Sequence, residues 1–289
     1  MAGVPRPSWQ PRATVVEGGR AHLLTIATAN VNGIRAAYRR GMDAWIASRT
    51  PDVLLLQEVR APDSIVNDFL DGWHVAHQAC DIKGRAGVAV ASRLPVSAVR
   101  VGLGAGEPEP PVDTGRWVEA DLELPDCGRL TVVSAYIHSG TVSQPETMVA
   151  KYAYLEKVTA RLRELAATGE KVLLAGDLNI AHHNVDIKNW KGNLKSAGFL
   201  PEERAYVDTW LDQVGLVDLG RVHGGEGPGP FTWWSWRGRA FDNDSGWRID
   251  YQLATPSLAE RAVKVEVDRA PTHDERWSDH APLVVTYDV

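Results

Sequence analysis

The most constraining stretch of this chain is a short apolar segment that ends in an acid and an amide. Residues 172–175, Val-Leu-Leu-Ala, fit a buried strand, and Gly176 follows where the backbone must turn or be approached closely. Asp177 and Asn179 then stand at alternate positions, so their side chains point the same way on an extended segment. The pair could bind a hard cation or orient a water, or it could close the strand as an ordinary Asx turn.

Polar side chains border other strand-like segments in the same way. The apolar run 22–29 ends at Asn30, and the run 53–56 ends at Gln57 and Glu58. The other members of the pattern are Tyr136, Asp250, Asp279 and His280. Ligands of α/β proteins collect at the carboxyl ends of strands, so the repetition favours one shared site. Taken singly, Glu58 could be a solvated loop acid, Tyr136 a rim aromatic and His280 a structural histidine.

Helical and strand-like segments alternate along the chain without a shift in composition. An amphipathic helix with Lys151 facing outward is predicted between Thr147 and Ala167. Its apolar stripe recurs every three or four positions, at Val149, Tyr152, Leu155, Val158, Leu162 and Leu165. We therefore expect one α/β domain over residues 21–289. Residues 1–20, rich in Pro, Arg and Gly, lack the apolar region of a secretory signal and are interpreted as a flexible leader or a DNA-contacting arm.

Charge and cysteine content exclude some classes of protein. The net charge of −6 argues against a generally basic nucleic-acid coat, although a local basic patch remains compatible with it. Cys80 and Cys127 are too few for a disulfide framework and lack metal-type spacing, which favours reduced residues in a cytoplasmic protein. We expect no membrane segment, because no apolar run approaches the length of a span.

Two later segments suggest contact with a nucleic acid. Residues 186–195 interleave lysines and asparagines with Trp190, which suits phosphate and sugar contacts but is also typical of a solvated loop. Residues 233–236 contain three tryptophans, of which at least one is expected to line a cleft. An oxygen-rich set of polar residues with one histidine and no cysteine favours Mg²⁺ or Mn²⁺ over zinc, and suits attack of water on a phosphodiester.

The chain resembles exonuclease III-type AP endonucleases of the endonuclease/exonuclease/phosphatase superfamily. The matching motifs occur in the family's order and are 30–35 (NVNGIR), 56–58 (LQE), 176–181 (GDLNIA), 247–251 (WRIDY) and 278–282 (SDHAP). Residues 192–193, 197–199 and 201–204, with the tryptophan segment, resemble the DNA-repair branch in particular. The resemblance implies a DNase I-like, four-layered α/β sandwich with two face-to-face mixed β-sheets flanked by helices.

The resemblance also implies an activity. It is divalent-metal-dependent hydrolysis of the phosphodiester 5′ to abasic sites in duplex DNA, with 3′→5′ exonuclease and 3′-phosphatase activity, as in base excision repair. The implied cofactor is Mg²⁺ or Mn²⁺, and the implied partner of a monomeric enzyme is double-stranded DNA with abasic sites or 3′ ends. Residues 137–140 lack a proline-containing turn usual in the family, and Trp233 replaces a phenylalanine.

Residue roles follow from the same resemblance. The implied metal ligands are Glu58, supported by Asn30 and Asp279, together with Asp177, Asn179 and His280. The implied catalytic residues are Tyr136, Asp177, Asn179, Asp250 and His280. Asp177 would activate water or protonate the leaving oxygen, and His280 would be oriented by Asp250. Trp233, Trp247 and Ile249 would form the pocket for a flipped-out abasic sugar. The candidates for DNA backbone contacts are Arg116, Lys151, Lys191 and Asn193.

Two other functions remain open at this point. A phosphoinositide or sphingolipid phosphodiesterase would share the superfamily's core motifs. A non-catalytic DNA- or protein-binding module could keep the fold without the chemistry. The number of metal ions and the dominant repair activity also remain open.

Overall fold

Two six-stranded β-sheets pack face to face in the computed structural model, which describes residues 22–104, 109–124 and 127–289. Helices cover the outer faces, so the predicted four-layered α/β sandwich is confirmed. The strands are β1 (Leu23–Asn30), β2 (Val53–Gln57), β3 (His74–Gln78), β4 (Val88–Ser92), β5 (Val96–Val101), β6 (Trp117–Leu124), β7 (Gly128–Tyr136), β8 (Lys171–Asp177), β9 (Val217–Asp218), β10 (Asp250–Ala254), β11 (Ala262–Val267) and β12 (Leu283–Asp288). The helices are α1 (Ile34–Arg39), α2 (Met42–Arg49), α3 (Asp63–Phe69), α4 (Pro145–Ala167), α5 (Pro201–Asp212), α6 (Leu219–Gly224) and α7 (Pro256–Ala259).

Both sheets have a parallel pair near the middle and antiparallel strands elsewhere. The first sheet has the order β11-β12-β1-β2-β4-β3, and the second has the order β5-β6-β7-β8-β10-β9. The parallel pairs are β1 with β2 and β7 with β8. Parallel neighbours need a crossover, which α1 and α2 supply in the first sheet and α4 in the second. The two pairs end at the same edge of the sandwich, where Gln57 Nε2 donates to Ser134 Oγ over 3.0 Å.

The central strands are buried on both faces, which explains their continuous apolar sequences. One set of side chains fills the space between the sheets, as Ile26, Leu55 and Leu173 do with no exposed surface. The alternate set packs under the outer helices: Leu54 lies on the helical side of the first sheet, and Leu174 lies on that of the second. This core fixes the strand register, and with it the positions of the polar residues at the strand ends.

Helix α4 corrects one sequence prediction. Its buried stripe includes Met148, Lys151 and Leu155, whereas Val149 is 68% exposed. The predicted stripe was therefore displaced by one residue in the first turns. Lys151 lies on the inner face with no exposed surface, so the prediction that it contacts the DNA backbone is wrong for this structure. Its charge is accommodated inside because Glu203 of α5 pairs with it.

Three further predictions concern residues 1–20, membrane segments and the cysteines. The proposed leader, residues 1–20, lies outside the described residues. No helix in the part of the chain that the structure describes is long and apolar enough to span a membrane. Cys80 and Cys127 are both free of disulfide bonds.

Candidate active site

A cleft of about 470 Å³ opens at the edge of the sandwich where the parallel strands end. It brings together side chains that are far apart in the sequence. The predicted residues that line it are Glu58, Tyr136, Asp177, Asn179, Asn193, Trp233, Trp247, Ile249, Asp279 and His280. Asn30 and Asp250 lie directly behind this lining and contact it through hydrogen bonds. Arg116, Lys151 and Lys191 do not line the cleft.

Backbone geometry at the strand ends turns the polar side chains into the cleft. Glu58 and Asn179 both have a φ of 49°, a left-handed conformation that ends the strand direction directly after β2 and β8. Gly176 has a φ of 148°, and a Cβ atom there would lie 1.9 Å from the carbonyl oxygen of Ala135. Only glycine fits where β8 passes β7 this closely, and this packing fixes the position of Asp177.

Amide groups hold the carboxylate of Asp177 from both sheets. Nδ2 of Asn30 donates to Oδ2 of Asp177 over 2.8 Å and to Oε1 of Glu58 over 3.0 Å. The backbone N–H of Asn179 donates to Oδ1 of Asp177 over 3.0 Å, and its Nδ2 group donates to Oδ2 over 3.1 Å. Because both oxygens accept hydrogen bonds, the carboxylate is held in one orientation.

His280 lies between two carboxylates. Its Nδ1 atom is 2.9 Å from Oδ2 of Asp250, and its Nε2 atom is 3.8 Å from Oδ2 of Asp177. Burial opposes the charged ring, but these two carboxylates outweigh it and raise the pKa of His280 to about 10. An imidazolium can donate a hydrogen bond but has no lone pair for a metal. Its position between two carboxylates favours hydrogen-bond donation by His280 over its predicted role as a metal ligand.

The surroundings disfavour the charged form of Asp177, whereas they favour the charged form of His280. Burial raises the pKa of its carboxyl group above the usual range; the charge of His280 opposes this shift, and the charges of Asp250 and Glu58 add to it. The neighbouring acids therefore disfavour the ionised form of Asp177. A group that titrates near neutrality inside a cleft is suited to accept and return a proton.

Tyr136 is a neutral hydroxyl donor at the end of β7. Burial raises the pKa of its phenol well above the usual value, and the nearby charges of Glu58 and Asp177 raise it further. The guanidinium of Arg116 lies 5.2 Å from the centre of the Tyr136 ring. Arg116 is only 6% exposed and its Nε atom donates to the carbonyl of Val112, so the prediction that it contacts the DNA backbone is corrected. It packs against Tyr136 instead.

The donor set of the cleft fits a hard divalent cation. Asp177 and Asp250 offer carboxylate oxygens that lie within 4.8 Å of one another. Oδ1 of Asp250 is buried without a hydrogen-bond partner among the described residues, which marks an excess of acceptors. Glu58 adds a further carboxylate and pairs with Arg60. Carboxylate and amide oxygens suit Mg²⁺ and Mn²⁺ alike, so the set does not choose between them.

Asp279 is oriented by a residue that the sequence prediction missed. Asn32 Nδ2 donates to Oδ1 of Asp279 over 2.9 Å, and the indole N–H of Trp233 donates to Oδ2 over 3.1 Å. Asn32 stands at the position alternate to Asn30 in the motif Asn30-Val31-Asn32, a spacing that could have identified it. Asp279 is thereby held at the border between the acids and the aromatic wall.

One wall of the cleft is apolar. The rings of Trp233 and Trp247 are half-buried and meet edge to face, with centroids 6.2 Å apart. Ile249 lies beside them and is 5% exposed. Lys191 and Asn193 lie on the neighbouring 3₁₀ turn, where Lys191 is exposed and Asn193 lines the cleft. Both are accessible to a bound strand, in contrast to Arg116 and Lys151.

Comparison with known proteins assigns the fold and site to a family. Residues 27–280 match the model of the endonuclease/exonuclease/phosphatase family. The chain belongs to this family. Exodeoxyribonuclease III of Haemophilus influenzae is 34% identical over 273 residues, which cover 88% of this chain and 96% of that protein.

Solved structures agree with this assignment. An AP endonuclease from Archaeoglobus fulgidus matches with a TM-score of 0.79 and 29% identity, covering 92% of this chain and all of that one. The 3′-5′ exonuclease NExo from Neisseria meningitidis matches with a TM-score of 0.79 and 28% identity, with coverage of 92% and 100%. The resemblance to exonuclease III-type AP endonucleases is confirmed.

Proposed function

We propose that this chain is a DNA repair nuclease that hydrolyses the phosphodiester 5′ to abasic sites in duplex DNA. We include 3′→5′ exonuclease and 3′-phosphatase activity in the proposal. One observation carries it: the acid–imidazole group of Asp177, Asp250 and His280 borders the same cleft as the indole wall of Trp233 and Trp247. The similarity to exodeoxyribonuclease III and to an AP endonuclease supports this class of substrate.

A bound divalent cation would neutralise phosphate charge and polarise the scissile phosphodiester. In this proposal Glu58 and Asp279 hold the cation, with Asn30 and Asn179 as further ligands. The cation is Mg²⁺ or Mn²⁺. The carboxylates of Glu58 and Asp279 both line the cleft, which supports the presence of a positive group there.

The residues around the phosphate divide the proton chemistry. Asp177, held by two asparagine amides, either accepts a proton from the attacking water or returns one to the leaving oxygen. The imidazolium of His280, fixed by Asp250, donates a hydrogen bond to the phosphate. The neutral phenol of Tyr136 is a second donor, to the phosphate or to the leaving group.

Selectivity for abasic sites follows from the shape of the wall. A sugar without its base leaves the duplex at lower cost than a paired nucleotide, because no base must be unstacked. The half-buried rings of Trp233 and Trp247 give that sugar an apolar surface next to the acids. Lys191 and Asn193 are placed to contact the adjoining backbone. We further propose that the enzyme is a monomeric cytoplasmic protein whose catalytic domain spans residues 21–289.

Incision of labelled duplexes tests the proposal. We expect cleavage 5′ to a synthetic abasic site, loss of that cleavage in EDTA, and recovery on addition of Mg²⁺. An intact duplex, a nicked duplex and a 3′-phosphate duplex measured in parallel rank the repair activities. Asp177→Asn serves as the inactive control. Cleavage that EDTA leaves unchanged would show that hydrolysis does not need a divalent cation.

Two outcomes would favour the other candidate functions. Hydrolysis of phosphoinositide or sphingomyelin vesicles without incision of DNA would indicate a lipid phosphodiesterase. Duplex binding that survives Glu58→Ala, with no cleavage by the parent protein, would indicate a binding module. For the nuclease, we expect binding to weaken steeply between 50 and 200 mM salt, by roughly 10-fold or more, because phosphate contacts release counterions.

A further inference from the structure

A fully buried ion pair lies behind the cleft. Nζ of Lys151 in α4 is 2.6 Å from Oε1 of Glu203 in α5, and neither side chain has exposed surface. Neither residue lines the cleft. Burial lowers the pKa of Lys151, and the charge of Glu203 opposes that shift. The pair therefore sits where it cannot contact DNA but can act on the residues in front of it.

The ammonium group of Lys151 also holds two backbone carbonyls at the base of the cleft. Nζ donates to the carbonyl oxygen of Asn179 over 3.0 Å and to that of Ser139 over 3.1 Å. With the bond to Glu203, these contacts use all three donors of an ammonium group. Asn179 has the left-handed φ of 49°, which a non-glycine residue keeps only when its surroundings fix it. The lysine supplies such a constraint directly at that residue.

The carboxylate of Glu203 holds the opposite side of the cleft. Its Oε2 atom accepts hydrogen bonds from the backbone N–H of Gly198 over 2.6 Å and of Leu200 over 3.0 Å. Gly198 lines the cleft and packs so closely that a Cβ atom would lie 3.3 Å from the Trp247 ring. One ion pair thus connects the Asn179 turn, the Ser139 loop and the turn beneath the indole wall.

We propose that Lys151 and Glu203 are positioning residues for the hydrolysis. The pair keeps Asn179 beside Asp177 and keeps the Gly198 turn against Trp247, so the reacting groups and the sugar pocket stay in register. This inference rests on the proposed nuclease function. A buried ion pair is poor evidence for stability by itself, because apolar replacements of similar volume are often neutral or stabilising. Its contacts with three cleft segments give it a specific role in geometry.

A double variant separates positioning from stability. Lys151→Met with Glu203→Gln removes both charges together and leaves no unpaired charge in the core. We expect kcat for abasic-site incision to fall about 10- to 100-fold with KM within about 2-fold, since small misplacements of reacting groups cost this much. We also expect faster amide hydrogen exchange in residues 178–181 and 137–140, at a melting temperature close to that of the parent.

Lys157→Met is the matched control. Lys157 lies on the same helix with its side chain 43% exposed, so its loss should leave kcat, KM and exchange unchanged. A folded double variant with parental kcat and parental exchange would overturn the proposal. A raised KM at parental kcat would also overturn it, because the effect would then lie in substrate binding and not in the placement of the reacting groups.

The exchange measurement does not depend on the activity. If the parent protein fails to incise abasic DNA, the proposed function fails, but faster exchange in the double variant still supports the positioning role. Unchanged exchange in that case overturns it.

Discussion

Two groups of buried acids in this molecule have opposite electrostatics. In the first, which we call the arginine cluster, Arg248 binds Asp186 through Nε over 2.7 Å and Asp218 through Nη2 over 2.8 Å. Arg221 adds a second ion pair to Asp186. Burial disfavours the Asp186 carboxylate, but the two guanidinium groups prevail and lower its pKa to about 2. Each acid in this cluster has a cation within contact distance.

The second group, the active-site cluster, has one cation for two buried acids, because His280 lies between Asp177 and Asp250. It comprises Asp177, Asp250 and His280, with Glu58 nearby. Burial and neighbouring acids raise the pKa of Asp177, and one oxygen of Asp250 has no hydrogen-bond partner among the described residues. Burial alone therefore does not mark a functional acid. The balance of charge does: acids matched by arginines support the fold, while acids that share one cation remain available to bind a metal ion and to exchange a proton.

Asp177→Asn gives the largest expected effect on the active-site cluster. We expect single-turnover incision to fall about 10³-fold, because the group that moves the proton is lost. The melting temperature should stay the same or rise, since the variant removes a buried carboxylate whose charge is disfavoured. Measurements of incision and of thermal melting on the same preparation check the two expectations. A large drop in melting temperature would show that the acid is structural.

Asp186→Asn, in the arginine cluster, should lower the stability of the fold and leave incision nearly unchanged. We expect the free energy of unfolding to fall by about 3 kcal/mol, because Arg248 and Arg221 lose a charged partner in the core. Urea unfolding measures this loss. Incision by the folded variant at low temperature should remain within a few-fold of the parent. An inactive but stable variant would contradict the distinction between the two clusters.

Divalent cations should bind at the active-site cluster and not at the arginine cluster. We expect Mn²⁺ at about 100 times its dissociation constant to stabilise the parent by about 2.7 kcal/mol. Glu58→Gln should reduce this gain, whereas Asp218→Asn should leave it intact, because Asp218 is already matched by Arg248. Thermal melting with and without Mn²⁺ makes the comparison. A gain that depends on Asp218 instead would place the cation at the wrong cluster.

The smallest expected effect is on the pH dependence of stability. The pKa of Asp186 is about 2 in the folded protein against an ordinary value of 3.8, so its ionised form stabilises the fold above pH 3.8. That contribution, about 2 kcal/mol, is lost as the pH falls toward 2. The difference in unfolding free energy between the parent and Asp186→Asn should therefore shrink from pH 5 to pH 2.5. A difference that stays constant would mean that the carboxylate charge contributes nothing.

The core of the fold was accessible to sequence reasoning because its strands are buried on both faces. The predicted strands at 53–56 and 172–175 lie within β2 and β8, and the predicted helix between Thr147 and Ala167 lies within α4. Strand β11 was missed. It is an edge strand whose Val263 is 47% exposed, but residues 263–267 alternate apolar and polar side chains, a pattern that could have identified it. Pairing with β12 makes it a strand.

The residues of the candidate site also differ in whether local sequence patterns predict them. Asn30, Glu58 and Asp177 could be predicted because each directly follows an apolar strand. Lys151 could not, because a lysine in an amphipathic helix normally faces water, and its partner Glu203 lies 52 residues further along the chain. Arg116 was mistaken because an arginine at a strand end normally faces water, whereas here it packs on a ring and donates to a backbone carbonyl. Local pattern shows where a strand ends, but not which charges the packing buries.

Anomalous diffraction from crystals of this chain soaked in Mn²⁺ tests the difference between the clusters most directly. We expect an anomalous peak inside the cleft bounded by Glu58, Asp177 and Asp279, and no peak beside Asp186 and Asp218. A peak at the arginine cluster, or a cleft without a peak at saturating Mn²⁺, would contradict it.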